Sequence, residues 1–318
     1  MSFIPTQKAV DVTIGNTNLI AITDSPLSSA ALGVLEQSLH MAGTTKIETP
    51  IIALFPHGNL SDYWIHHDRV EKRMFTPKAT PYIEAIKRAI DGHKHLVVVT
   101  MGDAATKALL GRADVGSIRG YPFPKDEIIV IPALHPQMMV WSNYIWRYYL
   151  SNDLRRARAF ADGVLTIDEP KRIVPSTFGE AVALLESLVL CPRISFDIEV
   201  SNYEVSCIGL AVDPRIGFSI PIDDRWSEEE EIRLWLLIAS LLEDENIIKV
   251  CQNGIFDIHF LAYKNGIIVR GPIEDTMIAH SVCFPDFLKG LGFLGSVHTT
   301  MTYWKDEMDH RKVIKKEA

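Results

Sequence analysis

The chain has 318 residues, 47% of them apolar and 23% charged, and a formal net charge of −8. That length and apolar content suit two hydrophobic cores better than one. The acidic balance excludes a generally basic surface that coats nucleic acid, while leaving room for a local basic channel. The first residues carry no signal-peptide core and no apolar run reaches membrane-spanning length, so a cytoplasmic protein without a membrane partner is expected. Cys191, Cys207, Cys251 and Cys283 lie far apart without CxxC spacing, which favours buried reduced thiols over disulfides or a zinc site.

In chain order, "NLIAIT" (18–23) predicts a strand and "SSAALGVLEQSLHMAG" (28–43) a helix stopped by Gly43. "IIALF" (51–55) predicts a second strand, and "PYIEAIKRAIDGHK" (81–94) a helix with Pro in its first turn. "HLVVVTMGDAATKALLG" (95–111) runs strand, Gly turn, helix, and "EIIVIPALHP" (127–136) is a strand ending in a His-Pro loop. A helix from about 143 to 161 closes this half. The alternation implies a mostly parallel sheet covered on both faces. Residues 162–176 have the Pro, Gly and polar content of a boundary, giving domains over 1–165 and 166–318.

The second half predicts a helix over 178–188, a strand within 194–212, a strand over 216–222 and a helix over 227–245. Glu228 to Glu231 stand at the start of that last helix and complement its dipole. A strand over 247–253, a helix over 254–266 with a Gly stop and a shorter helix over 274–282 follow. Asp275 is expected to cap the last of these, with a supporting role behind the metal-binding acids as the alternative.

"ISFDIEVSNYEVSCIGLAV" (194–212) places two acids two residues apart within a strand. Asp197 and Glu199 then project from one face while Phe196, Ile198 and Val200 point to the other. Asp257 stands early in the helix that leaves strand 247–253, near one end of the same sheet. Three carboxylates there are the donor set of hard divalent ions. A single D-x-E on a strand is also compatible with an ordinary ion-paired position.

"FDIEVSNYEVSCIGLAV", "CQNGIFDIHFL" and "DTMIAHSVCFPDFLKGLGFLGSVHT", in that order, resemble the DEDD-type, ribonuclease H-like 3′–5′ exonuclease domains of phage-type family A DNA polymerases over about residues 190 to 310. The resemblance implies that Asp197, Glu199 and Asp257 bind two divalent ions, Mg²⁺ or Mn²⁺, and that Asn253 and Phe256 lie beside the terminal nucleotide. It implies a mixed-sheet domain that hydrolyses DNA 3′ ends in proofreading, in bacterial or phage-infected host cytoplasm. Its partners would be single-stranded DNA and a polymerase domain in the same longer chain. The family's third motif, Tyr or His followed four residues later by Asp, does not occur after Asp257; Tyr303 and Glu307 have the spacing with the wrong acid. A chain truncated before that motif, with weakened activity, is therefore expected. The tail Arg311, Lys312, Lys315 and Lys316 is a candidate for phosphates or for a solvated helix face.

In the first half, "VVTMGDAATKALLG", "IRGYPF" and "VIPALHPQMM" resemble uracil-DNA glycosylase-like domains over roughly residues 15 to 145. That implies a parallel sheet with helices on both faces. His135 would stand in the loop that faces a flipped uracil, and Asp24 is the one acid where an active member holds its water. A retained fold without glycosylase activity is the expected state. His135 also fits a turn histidine, and His66 and His67 lie in a polar loop without metal-ligand spacing. A stand-alone DNA or RNA exonuclease, a non-catalytic DNA-binding module and a working uracil glycosylase remain alternatives for the whole.

Overall fold

The computed structural model describes residues 7–8, 14, 17–43, 50–56, 59–141 and 144–305. Glu307 and the basic tail, Arg311 to Lys316, lie outside the described residues. The chain divides into two compact units, residues 1–168 with 292–318, and residues 169–291.

The first unit is built on β1 (Gln7–Lys8), β2 (Leu19–Thr23), β3 (Ile51–Ala53), β6 (Val97–Met101) and β8 (Ile128–Ala133), all parallel, in the order β1-β3-β2-β6-β8. An antiparallel β7 (Phe123–Lys125) closes the edge beside β8, and β4 (Trp64–Ile65) pairs with β5 (Met74–Phe75) as a separate hairpin. β2 and β6 are buried at every position, as strands covered on both faces must be. Ile20, Ile22, Val98 and Val130 pack with Ile86 of α2 (Thr80–Ile90) and Ala105 of α3 (Asp103–Leu110). The alternate residues face α1 (Ser29–Met41) and α6 (Trp146–Ala161). Short helices α4 (Val115–Ile118) and α5 (Pro136–Trp141) complete the unit. Ser28 caps α1 by accepting the Ala31 N–H, and Gly43 (φ +82°) and Gly111 (φ +77°) take the left-handed positions past α1 and α3.

The second unit is a mixed sheet in the order β14-β13-β10-β11-β12-β9. β9 (Lys171–Ile173) lies inside the stretch that reads as a linker; it is short and mostly exposed, and it gains strand geometry only by pairing with β12 across the sheet. β10 (Arg193–Ser201) and β11 (Glu204–Asp213) form a hairpin extended by antiparallel β12 (Ile216–Pro221), while β13 (Ile248–Cys251) and β14 (Ile273–Asp275) run parallel beyond β10. α7 (Phe178–Leu188) and α8 (Glu228–Glu243) pack on one face over Ile194, Phe196, Ile198 and Ile208. Both helices start in capping boxes, Thr177 with Glu180 and Ser227 with Glu230, so part of the acidic run at 228–231 satisfies backbone donors. Glu231 further accepts from the Trp235 indole at 3.1 Å. α9 (Ile255–Phe260) widens to a π-turn over Leu261–Asn265 before Gly266 ends it. The stretch at 274–282 begins as β14 and becomes α10 (Thr276–Cys283) only after Asp275. Lys249, buried within β13, donates from Nζ to the carbonyls of Asp244 and Arg270, which satisfies a charge that hydropathy alone would keep outside.

The last described segment, which runs from Gly292 through the rest of α11 (Leu291–His298) to residue 305, groups with the first unit and not with residues 169–291. Its anchors are buried and polar. Arg119 pairs with Asp153 and donates to the Ser296 hydroxyl at 3.2 Å, Arg156 donates to the Thr299 carbonyl at 2.6 Å, and the Tyr121 hydroxyl donates to the Gly292 carbonyl at 2.6 Å. Tyr303 lies in the same unit, edge-on to Tyr121 and beneath the Arg112 guanidinium at 5.0 Å. All four cysteines are free; Cys251 is buried, whereas Cys283 is exposed at the end of α10, contrary to the expectation of burial.

Candidate active site

β10 alternates as its sequence requires. Phe196 and Ile198 are buried against α7 and α8, and Asp197 and Glu199 stand on the opposite, open face. The register of the β10–β11 hairpin shifts between Glu199 and Val200, a bulge that leaves Ser206 to donate its hydroxyl to the Glu199 carbonyl at 3.0 Å. Bulges of this kind re-aim the neighbouring side chain. Asp257 sits in the first turn of α9, buried, and its Oδ1 accepts the Ile198 N–H at 3.0 Å. Ile198 is the residue between the two strand acids, so the third carboxylate is docked on the strand that carries the other two.

The electrostatics agree. Asp197 is pushed up to about 6, first by loss of hydration on its protein side, then by the negative charges of Asp257 and Glu199. Asp257 is also raised, by burial, against the lowering pull of the Ile198 N–H. None of the three acids makes an ion pair among the described residues. They have repulsion without a countercharge, and their hard oxygen donors fit Mg²⁺ or Mn²⁺ in charge and chemistry. As the side chains stand, no group of three His, Cys, Asp or Glu among the described residues is closed around a single metal position; Asp257 Oδ1 is committed to the backbone of β10.

The turn between β13 and α9 is the other half of the site. Asn253 is exposed and left-handed (φ +57°), and Phe256 is 54% exposed on the outer face of α9, tilted against Phe260 with centroids 5.7 Å apart. Gly254 is required there, because any Cβ would collide with the Cys251 sulfur. Burial and the nearby Asp275 charge push the Cys251 thiol up to about 11, so it stays a neutral filler.

Sequence reasoning understates Asp275. It caps α10 as expected, accepting from Met277 N at 2.8 Å and Ile278 N at 3.3 Å. It also accepts from Asn253 N at 3.1 Å and Gly254 N at 2.9 Å, and so holds the turn that presents Asn253 and starts α9. Burial alone would raise this carboxyl; the four N–H donors overcome that and hold it below the usual carboxylate range. The cap could be read from "EDT", but the two bonds back to the turn depend on β14 lying beside β13. Asp275→Ala should lower stability by about 2 kcal/mol, the upper end for a lost cap. It should also weaken Mn²⁺ binding, whereas Asp275→Asn, whose one acceptor oxygen still caps α10 but whose NH2 faces the Gly254 N–H, should keep most of the cap and lose that bond to the turn; thermal melts with and without Mn²⁺ read the two effects.

In the first unit, Asp24 and His135 follow β2 and β8 at the same edge of the sheet, separated by β6. Asp24 is buried, with Oδ1 accepting the Ala105 N–H at 2.7 Å, and Gly102 (φ +109°) passes so close that a Cβ would strike the carboxylate. Burial pushes Asp24 up to about 7. His135 accepts at Nδ1 from Gln137 N at 3.2 Å, its Nε2 is buried without a partner, and burial lowers it to about 4, leaving a neutral imidazole. His67 accepts at Nδ1 from Arg69 N at 2.9 Å, a local turn contact.

No curated protein matches this sequence. Among solved structures, the chain is similar to Trypanosoma brucei RNase D (19% identity over 34% of this chain and 39% of that one, TM-score 0.29). It is also similar to the Aedes aegypti Nibbler EXO domain (18%, 45% and 75%, TM-score 0.36) and to Escherichia coli RNase D, an exoribonuclease involved in structured RNA processing (20%, 43% and 36%, TM-score 0.35). The chain thus spans well under half of either RNase D. No described helix is long and apolar enough to cross a membrane. Residues 174–302, less than half of the chain, match the family model described as 3′–5′ exonuclease, a family that uses two divalent metal ions.

Proposed function

We propose that the chain removes nucleotides from DNA 3′ ends, as the proofreading part of a phage-type family A polymerase. Asp197, Glu199 and Asp257 hold the metal ions, and Asn253 and Phe256 lie against the terminal nucleotide. The observation that carries this reading is the docking of Asp257 on the amide between Asp197 and Glu199, which brings its negative charge, with that of Glu199, to bear on Asp197. When bound, two divalent ions activate a water and stabilise the oxygen that leaves the phosphodiester. The chain supplies the rest: β10 and the first turn of α9 fix the donors, Asp275 fixes the turn, and exposed Phe256 offers a ring face to a base. A polymerase region in the same longer chain is the partner this reading implies. The first unit is a glycosylase-like fold without glycosylase activity, in line with an Asp24 carboxylate sealed under Gly102 and tied to Ala105 N.

The site ties metal binding to pH with a definite sign. A carboxyl raised to about 6 keeps its proton in the folded protein where the unfolded chain has lost it. Asp197 therefore costs stability as pH rises from the ordinary carboxylate range through about 6, and the full cost remains above that. Mn²⁺ takes the ionised cluster, so it should raise the melting temperature more at about pH 8 than at about pH 5. At a hundred times its dissociation constant the ion adds about 2.7 kcal/mol. Asp197→Asn should raise the metal-free melting temperature and abolish the Mn²⁺ increment. An increment that survives Asp197→Asn would place the metal elsewhere.

A further inference from the structure

From the carboxylates, β10 and the α9 segment run side by side toward the tip of the β10–β11 hairpin. At one end Asp257 is bonded to Ile198; at the other Lys264 is ion-paired to Glu204 at 2.8 Å. Seven residues of helix and three of strand each advance about 10 Å, so the two elements stay in step between these contacts. The residues just before the two ion-paired ones are both tyrosines, and both are open to solvent: Tyr203 is 84% exposed and Tyr263 is 80% exposed. One face of Tyr263 is backed by the nearly parallel His259 ring, 13° away in plane with centroids 6.4 Å apart.

Tyr203 is conformationally out of place. Asn202 (φ +53°) and Tyr203 (φ +64°) make a two-residue turn with both residues left-handed, a turn for which Asn-Gly is the favoured pair. A bulky side chain in that region is disfavoured relative to Gly, and such outliers concentrate where a side chain has work beyond the fold. The chain keeps an exposed aromatic at the one tip position where glycine would fit best.

We propose that Tyr263, backed by His259, and Tyr203 form a stacking platform for the bases of single-stranded nucleic acid, upstream of the nucleotide held at the carboxylates. The proposal rests on the exonuclease reading of the same site. Tyr263 lies in the helical segment that continues α9 from Asp257, and Tyr203 at the tip of the hairpin that carries Asp197 and Glu199, so a strand whose end lies at the acids has these rings along its path. A net charge of −8 disfavours a grip dominated by phosphates. Ring faces serve bases of any identity, as a processing enzyme requires. A duplex, whose base faces are covered by their neighbours, does not fit.

The test is fluorescence anisotropy of a 5′-fluorescein oligothymidylate with the whole protein in EDTA, so that binding is read without cleavage. Tyr263→Ala and Tyr203→Ala should each weaken binding about five- to a hundredfold, Tyr263→Phe should restore it, and an annealed duplex should bind less well than the single strand. Tyr203→Gly should keep or raise the melting temperature while losing affinity, which a purely structural tip residue would not do. Tyr144→Ala, an exposed aromatic of the first unit, is the control and should bind like the parent protein. Unchanged affinity in both alanine variants, duplex binding as tight as single strand, or an equal loss in the control overturns the platform. Cleavage assays with Mn²⁺ report on the carboxylate site separately, so loss of one reading is not loss of the other.

Discussion

Asp197→Ala should lower Mn²⁺-dependent removal of nucleotides on the order of a hundred- to a thousandfold or more, because it deletes a donor that serves only the charged transition state. Glu199→Gln and Asp257→Asn should cost similar amounts. The double variants should fall little further, since the three acids act as one unit and their losses do not add. Asp257→Asn has a second signature. Its side-chain carbonyl can still accept the Ile198 N–H, so the fold should survive while activity goes; Asp257→Ala should lose the bond and some stability as well. Measuring rate and melting temperature together separates the chemical role from the structural one.

The largest effect on stability should come from the first unit. Asp153→Ala leaves Arg119 and Arg156 buried without the carboxylate they face, and removal of one partner from such a pair costs about 3–5 kcal/mol. Arg119 also lies over the rings of Tyr149 and Phe293, at 5.3 and 5.2 Å, so the same cluster seats α11. Denaturant unfolding should show a lower midpoint with an unchanged slope. Replacing Arg119→Met together with Asp153→Leu should recover only the part of the loss that comes from Arg119, because Arg156 stays buried with backbone carbonyls as its partners.

Much of the site is legible in the sequence because its rules are local. The alternation "FDIEV" places Asp197 and Glu199 on one face, the acidic run at 228–231 marks the start of α8, and Gly266 ends the segment after α9. What is not legible depends on partners far along the chain. β9 is three mostly exposed residues that become a strand only against β12. The hub role of Asp275 needs β14 beside β13, and the bulge after Glu199 is a property of two strands together. The segment from Gly292 reads as a continuation of the exonuclease-type domain, and the family match does extend to residue 302. Its packing is nonetheless decided by Tyr121, Arg119 and Arg156, which lie more than a hundred residues earlier. Tyr203 is silent in the sequence, since only the backbone angles mark it as a residue held where glycine is favoured.

The most direct measurement is the product pattern from a single-stranded DNA oligonucleotide labelled at its 5′ end and incubated with the protein and Mn²⁺. The account predicts a ladder that shortens one nucleotide at a time from the 3′ end and disappears with Asp197→Ala. No ladder at all, or a ladder that survives Asp197→Ala, would contradict it.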